Sequence, residues 1–149
     1  MGRRFLLDGA HNVEAIRRLV SRLVGAKAMK RVVVFGAQVE KDWRALLYLL
    51  AEVPGLAMVI CIETTTGRPV NAEILRLWAC AHGIRSLAFR GMLSGLNYAL
   101  SLDCDEYLVT GSFKLFRDFD LALHYLGFGA AAVPMEDIDP AQPWMRKLC

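Results

Sequence analysis

The chain has 149 residues, 55% of them hydrophobic, and its 18 lysines and arginines against 15 aspartates and glutamates leave a net charge of +3. That length and apolar content suit one compact domain with a core covered on two sides, and the scattered charge excludes the dense basic stripe of a nucleic-acid binder. No window reaches the roughly 18 apolar residues of a membrane span, and the opening MGRRFLLDG lacks the apolar stretch of a secretion signal.

The expectation is therefore a cytoplasmic protein with neither a nucleic-acid nor a membrane partner, though a local anionic ligand remains compatible with the charge. Cys61, Cys80, Cys104 and Cys149 stand too far apart for a zinc knuckle or a redox dithiol and read as reduced thiols.

In chain order, short apolar runs alternate with stretches of helical period, the pattern of strands and helices wound into a mostly parallel sheet. The predicted strands are Phe5 to Leu7, Arg31 to Phe35, Met58 to Ile62, Ser86 to Phe89 and Tyr107 to Val109. Arg31 to Phe35 is the clearest, because a β-branched run without alternation fits a strand buried on both faces. After the first strand, Val13, Ile16, Val20, Leu23 and Val24 share one helical face, and Arg17, Arg18 and Arg22 take the opposite one as a solvated surface.

Asp42 is placed to cap a helix ending near Glu52, and Asn71 to cap one ending near His82. Trp43 and Trp78 fall in these helices as packing residues. Leu93, Leu96, Asn97 and Leu100 mark a fourth helix; Leu115, Phe119, Leu123 and Leu126 mark a fifth. The segment from Gly127 to Pro134 has room for a short edge strand. The last fifteen residues, with Pro140 and Pro143, read as mostly irregular.

In an open parallel sheet, ligands bind beyond the carboxyl ends of the strands, where loops converge and helix N-termini present unpaired N–H groups. The segments expected there are Asp8-Gly9-Ala10-His11-Asn12 after the first strand, Gly36-Ala37-Gln38 with Lys41-Asp42 after the second, Glu63 to Pro69 after the third, and Thr110-Gly111-Ser112 after the fifth. Each has an ordinary structural explanation: Asn12 as a helix cap, Gly9 as a tight turn, Ser112 as a cap of the last helix. Together they supply a carboxylate, an imidazole, an ammonium, a guanidinium and a hydroxyl to one rim, a set suited to phosphates and carboxylates. A Walker loop, a nucleophile elbow and a His-Glu-x-x-His pair are all absent. Gly127-Phe128-Gly129 mimics a dinucleotide fingerprint but follows a helix where the fingerprint must follow a strand. His82 and His124 have no second metal ligand nearby in sequence.

Leu-Leu-Asp-Gly-Ala-His-Asn at positions 6 to 12 resembles the segment that opens the C-terminal domain of folylpolyglutamate synthase and dihydrofolate synthase, within the Mur ligase superfamily. Val34-Phe35-Gly36 with Lys41-Asp42, Arg68-Pro69, and Val109-Thr110-Gly111-Ser112 are similar to that family's later segments, in the same order over roughly residues 4 to 126. Val13 stands where the family usually has proline. Phe113-Lys114-Leu115 replaces a more apolar Leu-Tyr-Leu, and Gln38-Val39-Glu40 replaces an Asp-containing approach to Lys41. Glycine at position 9 favours the folate branch over the cell-wall peptide ligases, which usually carry tyrosine.

The resemblance implies a Rossmann-like α/β domain over residues 1–126, with five to six mostly parallel strands and helices on both faces. Residues 127–149 are then an extension packed on it. It further implies one lobe of an ATP- and Mg2+-dependent ligase that activates a folate carboxylate as an acyl phosphate and displaces the phosphate with glutamate.

Carried over by position, Asp8 resembles the carboxylate that holds the nucleotide ribose. His11 resembles the residue facing the terminal phosphate and the incoming glutamate, and so takes nucleotide-binding, substrate and catalytic roles. Ser112 resembles a ligand of the glutamate carboxylate, with Lys41 as its electrostatic partner; Asn12, Asp42 and Arg68 support the loops. The metal ligands and the P-loop belong to a central domain that is the lobe's partner, so the isolated chain is expected to fold without turning over ATP. Two alternatives stay open: a non-catalytic nucleotide- or anion-binding module, and the equivalent lobe of a Mur-type peptide ligase.

Overall fold

The computed structural model describes residues 3–24, 29–128 and 144–148, with only the backbone of residues 3 and 144–148. Six strands form one sheet: β1 (Arg3–Asp8), β2 (Arg31–Phe35), β3 (Leu56–Cys61), β4 (Ser86–Ala88), β5 (Glu106–Thr110) and β6 (Trp144–Leu148). Their spatial order is β4-β3-β2-β5-β1-β6. The first five run parallel, and β6 pairs antiparallel with β1. Five helices connect them: α1 (Val13–Val24), α2 (Trp43–Leu50), α3 (Ala72–Ala81), α4 (Met92–Ser101) and α5 (Lys114–Tyr125).

Right-handed crossovers decide where the helices lie. The steps from β1 to β2, β3 and β4 all move one way across the sheet, so α1, α2 and α3 share a face. The step to β5 moves back, which puts α4 on the other face, and α5 packs beside it there. The core is divided to match. Leu6, Val33 and Leu108 pack with Ile16, Leu47 and Leu75 on the first face; Phe5, Val34 and Val109 pack with Leu96, Leu115 and Phe119 on the second. Alternate residues of each strand thus feed opposite layers, which is why these strands read as unbroken apolar runs.

The five predicted strands fall on β1 to β5, β2 at both its ends and the others with no end displaced by more than two residues. Asp42 accepts the Ala45 N–H to cap α2, and Asn71 accepts the N–H groups of Glu73 and Ile74 to cap α3. Trp43 is buried and Trp78 half-buried, as packing residues should be.

The predicted fourth helix is α4, which turns Met92, Gly95, Leu96 and Ala99 inward and Leu93 and Asn97 outward. Two expectations need correction. Val24 is 66% exposed and Leu19 is buried in its place, because the buried stripe of α1 runs through Ile16, Leu19, Val20 and Leu23 and Val24 falls beyond its edge. The last fifteen residues are not mostly irregular throughout: residues 144–148 form β6, in register with β1 from Arg3↔Leu148 to Leu7↔Trp144. The predicted edge strand within Gly127 to Pro134 lies largely outside the described residues, as does Cys149. Among the described residues, Cys61, Cys80 and Cys104 are free thiols, and no helix is long and apolar enough to cross a membrane.

At the amino ends of the central strands sits a buried ionic group. Glu106 lies in register with Arg4 on β1 and Arg31 on β2. Its Oε1 accepts from Arg31 Nε at 2.8 Å, and Arg4 Nε is 2.9 Å from Oε2. Arg31 also donates to the Pro54 carbonyl at 2.9 Å.

Candidate functional site

β1 and β5 are neighbours, yet the chain leaves β1 over one face through α1 and leaves β5 over the other through α5. This is a topological switch point, where diverging loops open a crevice at the carboxyl ends of the strands. A cavity of about 230 Å³ lies there, lined by Asp8, His11, Asn12, Arg18, Arg22 and Phe113 among others.

The loops are drawn together by backbone bonds. Asp8 is in register with Thr110, and the Gly111 N–H donates to the Ala10 carbonyl at 3.1 Å. Gly111 has φ +115°, and a Cβ there would run into the Gly36 carbonyl, so only glycine lets the ends of β2 and β5 approach this closely. Gly9 is needed for a different reason from the tight turn expected of it. Its φ is not positive, but a Cβ would overlap the ring of Phe113, which lies across it.

Asp8 is 8% exposed. Its Oδ1 accepts the Ala10 N–H at 2.8 Å. Burial pushes the carboxyl above its ordinary range, partly offset by that N–H and by the charges of Arg22 and Arg18. His11 is half-buried, its ring centroid 5.5 Å from that of Phe113. Its Nδ1 lies 2.9 Å from the Gly9 carbonyl; a carbonyl can only accept, so Nδ1 carries the proton and Nε2 is the atom left for a ligand. Asn12 Oδ1 accepts the Ala15 N–H at 2.8 Å, capping α1.

Ser112 follows on from the same rim, beside Phe113. It is buried, and its Oγ accepts the Lys114 N–H at 3.2 Å, which leaves its hydroxyl proton to donate. Lys41 and Asp42 are exposed on the turn after β2, and Arg68 is exposed on the loop after β3. These two loops form their own group, held by the buried Gln38: its Nε2 donates to Thr64 Oγ1 at 2.8 Å, and its Oε1 accepts the Arg68 N–H at 2.7 Å. Asp118 on α5 accepts from the Thr65 N–H and hydroxyl, tying the same loop to the second face.

The structure therefore brings Asp8, His11 and Asn12 into one cavity with Ser112 adjoining, and places Lys41, Asp42 and Arg68 farther along the rim, outside the residues lining it. Arg18 and Arg22 were expected to be part of a purely solvated face, but both line the cavity. The clue was available: Ala15, Arg18 and Arg22 follow His11 at helical spacing, on the side of α1 facing the crevice. Among the described residues, no group of three or more His, Cys, Asp or Glu side chains is placed to hold a metal ion.

No protein-family profile and no curated protein matches the chain. Solved structures do. A bifunctional folylpolyglutamate synthase/dihydrofolate synthase from Yersinia pestis CO92 is 29% identical over 79% of this chain and 28% of its own, with a TM-score of 0.64. A bifunctional enzyme of the same description, solved with Mn, AMPPNP and L-glutamate bound, is 25% identical over 83% of this chain and 29% of its own, also with a TM-score of 0.64. A Mycobacterium tuberculosis folylpolyglutamate synthase, solved with ADP and AMPPCP, shares the fold at 22% identity and a TM-score of 0.66, over 80% of this chain and 29% of its own. The chain spans less than a third of the length of these proteins. Its fold is α/β and Rossmann-like, consistent with that of Mur ligase C-terminal domains, and over about four-fifths of its length the chain is similar to folylpolyglutamate synthase structures.

Proposed function

We propose that this chain is the closing lobe of a cytoplasmic ATP-dependent ligase that joins glutamate to a folate carboxylate through an acyl phosphate. The observation that carries this reading is the meeting of Asp8 and His11 in one cavity at the β1/β5 switch point, in a chain similar in fold to folylpolyglutamate synthases.

On this reading Asp8, an acceptor with one oxygen already fixed by the Ala10 N–H, takes the ribose hydroxyls. His11, its Nδ1 tied to Gly9, presents Nε2 to the terminal phosphate and the incoming amine; with both nitrogens protonated, the imidazolium donates from Nε2 and stabilises charge developing in the transition state. Ser112 donates its hydroxyl to the glutamate carboxylate, with Lys41 as electrostatic partner and Arg68 bracing the loop beside it. Asn12 and Asp42 cap the helices that carry these loops. The Mg2+ that accompanies ATP is assigned, as the resemblance implies, to the P-loop domain that is this lobe's partner. Closure of the two lobes keeps water from the acyl phosphate.

The test is His11→Ala in the ligase that contains this lobe. Removing one such donor commonly costs about a hundredfold in turnover, so glutamate-dependent ligation falls by well over tenfold with the fold intact. A change within twofold removes His11 from the mechanism. Steady ADP release by the 149-residue chain alone, dependent on folate and glutamate, contradicts the lobe assignment. The absence of a Walker sequence from these residues also favours a non-catalytic nucleotide-binding module; a coding frame continuous with a P-loop domain decides against that.

A further inference from the structure

Thr110 ends β5 in register with Asp8, and it is completely buried. Among the described residues its Oγ1 has no hydrogen-bond partner. A hydroxyl shut away from water without a partner works against stability. Valine has nearly the same shape and leaves nothing unsatisfied, so the hydroxyl calls for a use.

Strand alternation places it. Leu6 of β1, Phe35 of β2 and Leu108 of β5 belong to the core of the first face, and every second residue of a strand returns to the same face. Asp8 and Thr110 therefore both stand on the side that α1 covers. Because β5 lies between β1 and β2, Thr110 has Asp8 on one side and Phe35 on the other. Phe35 offers no acceptor. Asp8 does: its one hydrogen bond among the described residues is the one Oδ1 accepts from the Ala10 N–H, which leaves Oδ2 for another donor. Neighbouring strands are about 4.8 Å apart, a span that a threonine hydroxyl and an aspartate oxygen bridge by turning about their side-chain bonds.

Asp8 lines the cavity at the switch point and Thr110 does not. A ligand there meets the carboxylate and not the hydroxyl, so Thr110 acts through Asp8 or not at all. Burial disfavours the charged carboxylate, and a hydroxyl donating to it from the buried side offsets that effect while fixing the plane of the group. A carboxylate has about four acceptor positions, so the bonds from Ala10 and Thr110 leave room for two more donors.

Resting on the reading of Asp8 as the ribose carboxylate, we propose that Thr110 is a positioning residue: its hydroxyl donates to Asp8 Oδ2 and holds the carboxylate charged and aimed at the sugar hydroxyls of the nucleotide.

The experiment follows the Asp8 side-chain carboxyl by 13C NMR through a pH titration of the 149-residue chain as wild type, Thr110→Val and Thr110→Ser. His11, Arg18 and Arg22, the other titratable or charged groups among the described residues lining the cavity, are the same in all three, so the differences isolate the hydroxyl. Losing one hydrogen bond to a charged group is worth about one pH unit. The Thr110→Val midpoint therefore moves up by about that much, and Thr110→Ser stays at the wild-type value. The unfolding midpoint of Thr110→Val matches wild type where Asp8 is protonated in both and falls behind only at higher pH, which a merely structural hydroxyl would not do. In the ligase that contains this lobe, Thr110→Val raises KM for ATP about tenfold relative to KM for 2′,3′-dideoxy-ATP, the counterpart of one lost hydrogen bond. An Asp8 midpoint that stays put in Thr110→Val, or that moves as far in Thr110→Ser, overturns the proposal. A shifted midpoint with no selective loss on ATP leaves the hydrogen bond standing and overturns the ribose role of Asp8. Valine's shape preserves the fold, and undisturbed resonances of β2 and β3 report it.

Discussion

Glu106→Ala removes the acceptor from a group that is almost entirely out of water. Glu106 and Arg31 are each 1% exposed, and the Nε–Oε1 distance is 2.8 Å. Without the carboxylate, Arg31 keeps its bond to the Pro54 carbonyl but becomes a buried, uncompensated cation. Breaking such a pair from one side costs about 3–5 kcal/mol. Arg4 is 34% exposed in its side chain and reaches water, so its share is small. A loss of about 4 kcal/mol is a large fraction of the ~5–15 kcal/mol that holds a domain folded. At roughly 2–4 °C per kcal/mol for a chain near this size, the midpoint falls by about 8–16 °C. The assay is urea and thermal unfolding by circular dichroism on the wild type, Glu106→Ala, Arg31→Met and the double variant Glu106→Leu/Arg31→Met. The double variant should recover most of the loss, because both charges leave together, short of about 1–3 kcal/mol for the Pro54 carbonyl left without its donor. A Glu106→Ala cost under about 1 kcal/mol, or a double variant no more stable than the single, refutes the reasoning.

Two further outcomes concern the cavity. Gly9→Ala drives a methyl into the Phe113 ring and should destabilise the chain by about 1–3 kcal/mol, as overpacking does. Adding Phe113→Ala should then restore stability; Gly9→Ala at wild-type stability, with the His11 ring resonances unmoved, would show that the ring leaves without resistance. For Asp8, the folded carboxyl titrates above its ordinary value of 3.8, so the folded state holds the proton longer than the unfolded chain. The wild type therefore loses stability as pH rises from 3.8 through the raised folded value. Asp8→Asn does not, and its unfolding midpoint should draw ahead of the wild type across that window while nucleotide binding weakens. A gap that stays constant from pH 3 to pH 7 contradicts this.

The sheet was legible in the sequence because each parallel strand is buried on both faces and so appears as a short apolar run between helical periods. Arg31–Phe35 was located to the residue. β6 was missed for a physical reason: residues 144–148, Trp-Met-Arg-Lys-Leu, lie at an edge, next to prolines, with no apolar run to mark them. At the site, Asp8, His11 and Ser112 could be read as sharing a rim because position along parallel strands fixes it. What could not be read was orientation. The sequence marks Arg18 and Arg22 as polar, but whether a polar stripe faces bulk water or a crevice depends on where the next strand is inserted. Lys41 and Arg68 illustrate the converse: residues on one rim that belong to a separate loop group organised by Gln38 and Asp118.

The place of β5 between β1 and β2 also has a consequence for how the chain finds its native state. β2, β3 and β4 can zip together in succession through neighbouring connections, but β1 gains its parallel partner only when a segment about a hundred residues downstream slots into the gap. Contacts of such long sequence separation are slow to form. The crevice at the β1/β5 switch point cannot take shape before this long-range pairing does, so a chain in which only β2, β3 and β4 have joined lacks that mouth altogether.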